Sequence, residues 1–347
     1  MKWACSGLCC LLLVCLLGSR QQTAPPNPDR WLSAFTNDDG SRPDGNVSTR
    51  DDSSAMNKAL TAGPGIVHIG PGHYRLSDVS IPDGVTVVGT GTATILHAAG
   101  SKPVFHQKGL SGWRLRDVTV QGEATGPWQQ RTDLGAHGIV IEGCFNYEVS
   151  GVQIKDFAGV GLQIARTNIQ TSGFTNGGII SAIATTGNHT GVRFDTRGEY
   201  VTASQLMCHY NVIGVTIHAG NTNIANSNIG SNTDGILIVD HENGSHGSLT
   251  GCLVNHNERY AILARNVDNA MAISNCCFFY GTIHLEDCEG INVTSSLLGC
   301  NVTTAGKLPN RFAGNHVSGE GQKFEFAPAT ILEGNFSKTG PWEPTKK

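Results

Sequence analysis

The chain has 347 residues and a formal net charge of −4, and its 24 Lys and Arg form no basic run. That excludes the cationic track a nucleic-acid partner requires. Charged residues make up only 15% and Gly numbers 44 against 13 Pro, a balance suited to many tight turns between short strands.

The first element is a leader. Lys2 supplies positive charge, Leu8 to Leu17 is apolar, and Gly18-Ser19 offers small residues for cleavage. The pattern predicts a signal peptide over 1–20 and a secreted, periplasmic or cell-surface location. The apolar run is too short to span a bilayer comfortably, and no second one of membrane length follows. A polar linker is expected over 21–34. Seven cysteines lie beyond the leader: Cys144, Cys208, Cys252, Cys276, Cys277, Cys288 and Cys300. The steps of 44, 24 and 24 residues from Cys208 to Cys300 predict a ladder of small apolar thiols inside a repeat structure, with disulfides the alternative in an exported chain, where the odd count leaves at least one thiol over. No Cys-x-x-Cys pair marks a zinc motif.

Asp51, Asp52 and Ser53 are N-cap candidates for a short helix over 53–60, which Gly63-Pro64-Gly65 stops. Strands are predicted at Ile66–Ile69, from Tyr74, at Val79–Ile81 and at Val85–Val88. A helix ahead of the first coil covers the open end that any stack of parallel strands presents. Asp38-Asp39-Gly40, Asp51-Asp52, Ala59-Leu60 and Gly65-Ile-Val-His-Ile-Gly-Pro-Gly-His-Tyr-Arg75 resemble the opening of the pectate-lyase-like superfamily. The resemblance implies a right-handed parallel β-helix, the scaffold of pectate lyases, polygalacturonase-type glycosidases and phage tailspikes.

From Gly138 one phrase returns: Gly-Ile-Val-Ile at Gly138, then Gly161, Gly191, Gly214, Gly235, Tyr260 and Gly281, in steps of 23, 30, 23, 21, 25 and 21 residues. A period in the twenties built from alternating apolar strands indicates a solenoid whose coils are stable only when stacked. The fold predicted is all-β, a single-stranded parallel β-helix with three short strands per coil, over 35–306 with its cap. Further strands are expected at Val149–Ile154, Ile224–Ile229, Ser248–Val254, Met271–Phe278 and Ile291–Leu298. The Asn residues crowding the junctions, Asn221, Asn226, Asn232, Asn257, Asn266 and Asn275 among them, predict left-handed turns and side-chain ladders. Two segments interrupt the coils: Gly122–Ala136, which holds Trp128, and Ile169–His189. Such protruding loops would wall a saccharide groove. After Gly299 the period fades into a C-terminal cap and tail over 307–347. Six Asn match the glycosylation pattern: Asn46, Asn188, Asn243, Asn292, Asn301 and Asn335.

On a strand beginning with Gly, the second and fourth residues point inward and the third and fifth outward. Glu142, Arg193, Asp195, Thr216 and His218 then share one outer face, with Asp195 and His218 on adjacent coils. An acid, a histidine and an arginine so grouped suit binding or cleavage of an acidic sugar. Arg166, Asp240, Arg265 and Glu286 extend a second row, Arg197 lies just past Asp195, and Trp113 and Trp128 offer rings for sugar stacking. Asn232-Thr233-Asp234-Gly235 resembles the first catalytic motif of polygalacturonase-like glycosidases, and Gly244-Ser245-His246-Gly247 is similar to their Gly-His-Gly motif. That resemblance implies hydrolysis by Asp234, Asp240 and His246, although the paired Asp-Asp motif is missing. No coil-spaced carboxylate cluster assigns a metal, so Ca2+ is left open. The functions expected are an exported enzyme cleaving a polysaccharide, as lyase or glycoside hydrolase, or a non-catalytic glycan-binding or surface-structural β-helix.

Overall fold

A coil of some two dozen residues buries almost nothing alone, so the architecture is a stack. The computed structural model describes residues 29–46, 50–165, 174–239, 244–318 and 321–342; the leader lies outside them. Among these residues the strands join into two sheets, of 13 and 21 strands. One coil runs Glu148–Ser150, Gln153–Lys155, then Val160–Ala165. The first of these joins the 13-stranded sheet and forms the first face; the other two start separate series in the larger sheet, the second and third faces. Each series pairs in parallel and in step, as in Ile141–Ile164–Phe194–Ile217–Ile238 along the third face. The fold is a parallel β-helix with three strands per coil, as the repeat predicts.

The alternation rule accounts for the interior. Ile139, Ile141, Leu162, Ile164, Val192, Phe194, Val215, Ile217, Ile236 and Ile238 are all at 0% exposure. Each stabilises the stack by about 1.5–3 kcal/mol through burial. Trp113 joins this core, stacked on Tyr147 at 5.4 Å, and is unavailable to a sugar.

Corners are fixed by single residues at positive φ. Between the first and second faces these are Asp117, Gly151, Ala182, Gln205, Asn226, Gly251, Asn275 and Ser295. The bend explains why Val149–Ile154 and Ile224–Ile229, predicted as single strands, are each two strands meeting at a corner. At the next corner Asn188, Asn211, Asn232 and Asn257 form a buried ladder. The Oδ1 atoms of Asn211, Asn232 and Asn257 each accept the backbone N–H of the Asn one coil earlier, at 3.0, 2.9 and 3.1 Å, and Asn188 Oδ1 accepts the Phe157 N–H at 3.0 Å. Asn188, and likewise Asn335, is thus buried and hydrogen-bonded in the fold despite its glycosylation pattern.

The cysteines divide where one ladder was expected. All seven are free thiols and six are buried. Cys252 and Cys276 stack at one corner, with the Cys277 N–H donating to the Cys252 carbonyl at 2.9 Å. Cys208 and Cys300 instead sit on strand interiors, where burial pushes each thiol up to about 12. Coil length varies, so equal sequence spacing does not hold a constant phase.

The helix Ser53–Thr61 closes one end with Ala55, Met56, Ala59 and Leu60 buried against the core. Asp52 stands at the N-cap without a side-chain cap bond. Asn37 supplies it from outside, accepting the Ala55 N–H at 3.1 Å and donating to Asp52 at 3.0 Å. The stack reaches into the expected linker, because Arg30–Trp31 pairs with Val67 and His68. It also passes residue 306, since Arg311–Ala313 and Ile331–Glu333 extend the first face. An antiparallel pair, Phe336–Ser337 with Gly340–Pro341, and Trp342 packed edge-on to Phe324 at 4.7 Å close that end.

Candidate active site

The third face carries the polar side chains that the alternation rule sends outward. Gln163, Arg193 and Thr216 are direct register partners on three successive coils. Asp195 and His218 follow one strand position beyond Phe194 and Ile217, which are themselves paired. The two side chains meet, His218 Nδ1 lying 3.5 Å from Asp195 Oδ1. Gln163 Nε2 donates to Asp195 Oδ2 at 3.2 Å, and the Thr196 N–H donates to Oδ1 at 2.9 Å. Burial alone would raise the Asp195 pKa, but His218, the Thr196 N–H and the Arg193 charge outweigh it and hold the group well below the usual carboxylate range. Asp195 is therefore a fixed anion that orients His218 and is unsuited to act as a proton donor.

Arg193 is not the open cation that the sequence suggests. Its guanidinium lies 3.2 Å from Asp133 Oδ2, and the two side chains are only 18% and 29% exposed. Asp133 belongs to the Gly122–Ala136 loop, which leaves the second-to-third-face corner and lies down the stack. Arg131 of the same loop reaches Asp156 at 3.3 Å, and Trp128 meets the ring of Tyr210 at 6.3 Å. Two histidines flank the Arg193–Asp133 pair. His137 Nδ1 accepts the Val160 N–H at 3.0 Å, so in the neutral ring the proton is on Nε2. Burial lowers the pKa of both His137 and His189, Asp133 opposes this, and Arg193 adds to it. Arg193 Nε and Thr216 Oγ1 are buried without a hydrogen-bond partner among the described residues.

The other candidates lie elsewhere. Asp234 is 4% exposed, and Arg259 clamps both its carboxylate oxygens, Nε donating to Oδ1 at 3.0 Å. His246 packs over Gly220 at the opposite corner, its Nδ1 2.9 Å from the Gly244 carbonyl. The strand Asp234–Val239 separates the two by on the order of 16 Å. The hydrolytic group implied by the motif is therefore not assembled from Asp234 and His246, and Asp240 lies outside the described residues, as does Arg166. Arg265 and Glu286 pair with each other at 2.8 Å on the third face, further along the stack. Arg197 lies over the Phe174 ring at 5.2 Å. Gln163 was within reach of the alternation rule applied at Gly161. Asp133, His137 and His189 sit in a loop and at corners, where no periodicity points to them. Among the described residues no three His, Cys, Asp or Glu side chains form a group able to hold a metal ion. No helix among them is long and apolar enough to cross a membrane.

The fold that carries this site is a right-handed parallel β-helix. No protein-family model matches the chain, and no curated protein matches it by sequence. Solved structures do. The mannuronan C-5 epimerase A-module from Azotobacter vinelandii aligns with a TM-score of 0.63 at 15% identity, over 92% of this chain and 99% of that one. An α-1,3-glucanase catalytic unit from Streptomyces thermodiastaticus gives 0.65 at 16% identity, over 92% and 71%. A tailspike from an Acinetobacter baumannii bacteriophage, a capsular polysaccharide depolymerase, gives 0.59 at 13% identity, over 93% and 66%.

Proposed function

We propose that this chain is an exported enzyme acting on an extended, carboxylate-bearing polysaccharide by proton transfer on the third face. The contact between Asp195 and His218 carries the reading. With Nδ1 held by a permanent anion, proton exchange falls to Nε2, the arrangement of an oriented general base. Arg193, on the adjacent outward position, is the cation that a sugar carboxylate engages in exchange for Asp133, so stabilising charge that develops beside it. Removal of the proton α to that carboxylate, with the C4–O bond breaking and its electron pair leaving on the glycosidic oxygen, is β-elimination. The leaving oxygen then takes up a proton. Three neighbours of the same fold are named for work on polysaccharides, which supports the substrate class. The leader-like first twenty residues support export.

A glycan-binding protein without chemistry is the second reading, favoured by Asp133 already occupying Arg193. Purified protein incubated with uronate-containing and neutral polysaccharides separates the two. Lyase action yields absorbance at 235 nm together with new reducing ends, and His218→Asn lowers the rate by about 100-fold or more. Reducing ends without absorbance would point to hydrolysis instead. Silence from the whole panel, with binding retained, would leave only the second reading.

A further inference from the structure

The corner between the second and third faces takes one residue per coil at positive φ. Higher in the stack these are Asp156 and Gly187, at 64° and 68°, residue types that accept this conformation readily. Further down, the same position holds Tyr210 at 56°, Ser231 at 54°, His256 at 53° and Tyr280 at 61°. The equivalence is set by register, since Met207–His209, Asn228–Gly230, Leu253–Asn255 and Cys277–Phe279 pair in step. Bulky rings are poor choices there, because the left-handed region crowds Cβ against the following carbonyl. Burial does not explain the choice either: Tyr210 and Tyr280 are 53% and 60% exposed.

The rings form a line along the axis. Trp128 touches Tyr210 edge-on, and His256 and Tyr280 lie 4.3 Å apart with a 31° interplanar angle. Tyr210 to Tyr280 is three coils, about 14 Å at the strand spacing. The line ends in a cleft of about 420 Å³ whose lining includes Phe279, Tyr280, Asn301 and Gln322. Gln322 Oε1 there, and Asn255 Oδ1 on the same stretch, are buried acceptors without a hydrogen-bond partner among the described residues. Exposed rings beside a cleft lined by amides match a pyranose, which has an apolar C–H face and a rim of hydroxyls. The electropositive C–H bonds meet the ring face that a neighbouring ring leaves uncovered, and the hydroxyls meet the polar groups lining the cleft.

We propose that this corner is a glycan-binding rail, running beside the Asp195–His218 face and holding a polysaccharide by ring stacking from Trp128 and Tyr210 to Tyr280. The proposal rests on the polysaccharide reading for the class of ligand only, and it needs no chemistry at His218. The test is affinity electrophoresis of the full chain through gels containing polygalacturonate, alginate or hydroxyethyl cellulose, with thermal melting in parallel. Wild type is expected to be retarded in at least one gel. Tyr210→Gly and Tyr280→Gly each weaken that retardation roughly tenfold, the equivalent of a lost stacking contact. Their Tm stays unchanged or rises, because glycine relieves the backbone, and Glu333→Gln, on the first-face strand Ile331–Glu333 away from this corner, migrates as wild type. Retardation unaffected by the tyrosine changes, a Tm lowered by several degrees, or no retardation of wild type in any gel would each overturn the rail. None of these outcomes bears on product formation, which tests the catalytic reading separately.

Discussion

Asn211 shows how one side chain serves two coils. At 0% exposure, its Oδ1 accepts both the backbone N–H and the Nδ2 of Asn188 at 3.0 Å. Its own Nδ2 donates to the His209 carbonyl at 3.0 Å, and its N–H donates to Asn232 at 2.9 Å. Asn211→Ala leaves the Asn188 donors buried and unmet, so it should lower unfolding free energy by about 2–4 kcal/mol. Asn228→Ala, on an outward and partly exposed position, should change it by less than about 0.5 kcal/mol. Urea titration of both variants decides this, and equal effects would show that the ladder is incidental. The sequence announces that junction asparagines turn corners and stack, and Asn226, Asn266 and Asn275 do take positive φ. It does not announce which ones, because ladder membership depends on corner phase. Asn188, which matched a glycosylation pattern, is a ladder member, whereas Asn223 and Asn228 lie on strands.

At the scale of elements, the 122–136 segment is the feature that sequence located but did not place. Its interruption of the period is visible, yet a loop has no alternation from which to read where Asp133 points. The consequence is energetic as well as geometric, because Asp133 neutralises Arg193 on a largely covered face. Asp133→Asn leaves that guanidinium without its contacting carboxylate, with only the Asp195 charge nearby, and should cost about 1–3 kcal/mol, reduced from the fully buried case by partial exposure. The same carboxylate is the influence that raises the pKa of His137 and His189 against burial. Both histidines sit below their ordinary value in the folded chain, so stability is intact above the unfolded pKa of about 6.5. It falls as pH drops toward the lowered folded values, since the unfolded chain takes up the protons. Urea midpoints should therefore be lower at pH 5.5 than at 7.5 for wild type, and lower still at both for Asp133→Asn. An Asp133→Asn midpoint equal to wild type would mean the loop does not hold Arg193.

For the whole molecule, periodicity makes the fold readable and also limits cooperativity. Every coil repeats the same inward pattern, so an error in one strand leaves the stack intact in the reading, as the strands that proved to be pairs demonstrate. The ends and the site lack that redundancy: the cap bond from Asn37 and the approach of Asp133 each occur once. Physically, each coil touches only its neighbours, so stability is a sum of local terms. Phe326 is 1% exposed and packs between Phe312 and Trp342 at the terminal coil. Phe326→Ala removes about 3–5 kcal/mol, and in a stack of nearest-neighbour contacts that loss stays at its own end. Hydrogen exchange should accelerate by roughly 100-fold or more for amides of Arg311–Ala313 and Ile331–Glu333. Amides of Thr190–Phe194 and Ile213–Ile217, beneath the candidate active site, should keep their wild-type rates. Uniform acceleration along the chain would show that the stack unfolds as one unit. Local acceleration would mean that the face carrying Asp195 and His218 is held rigid by its own coils, whatever happens at the cap.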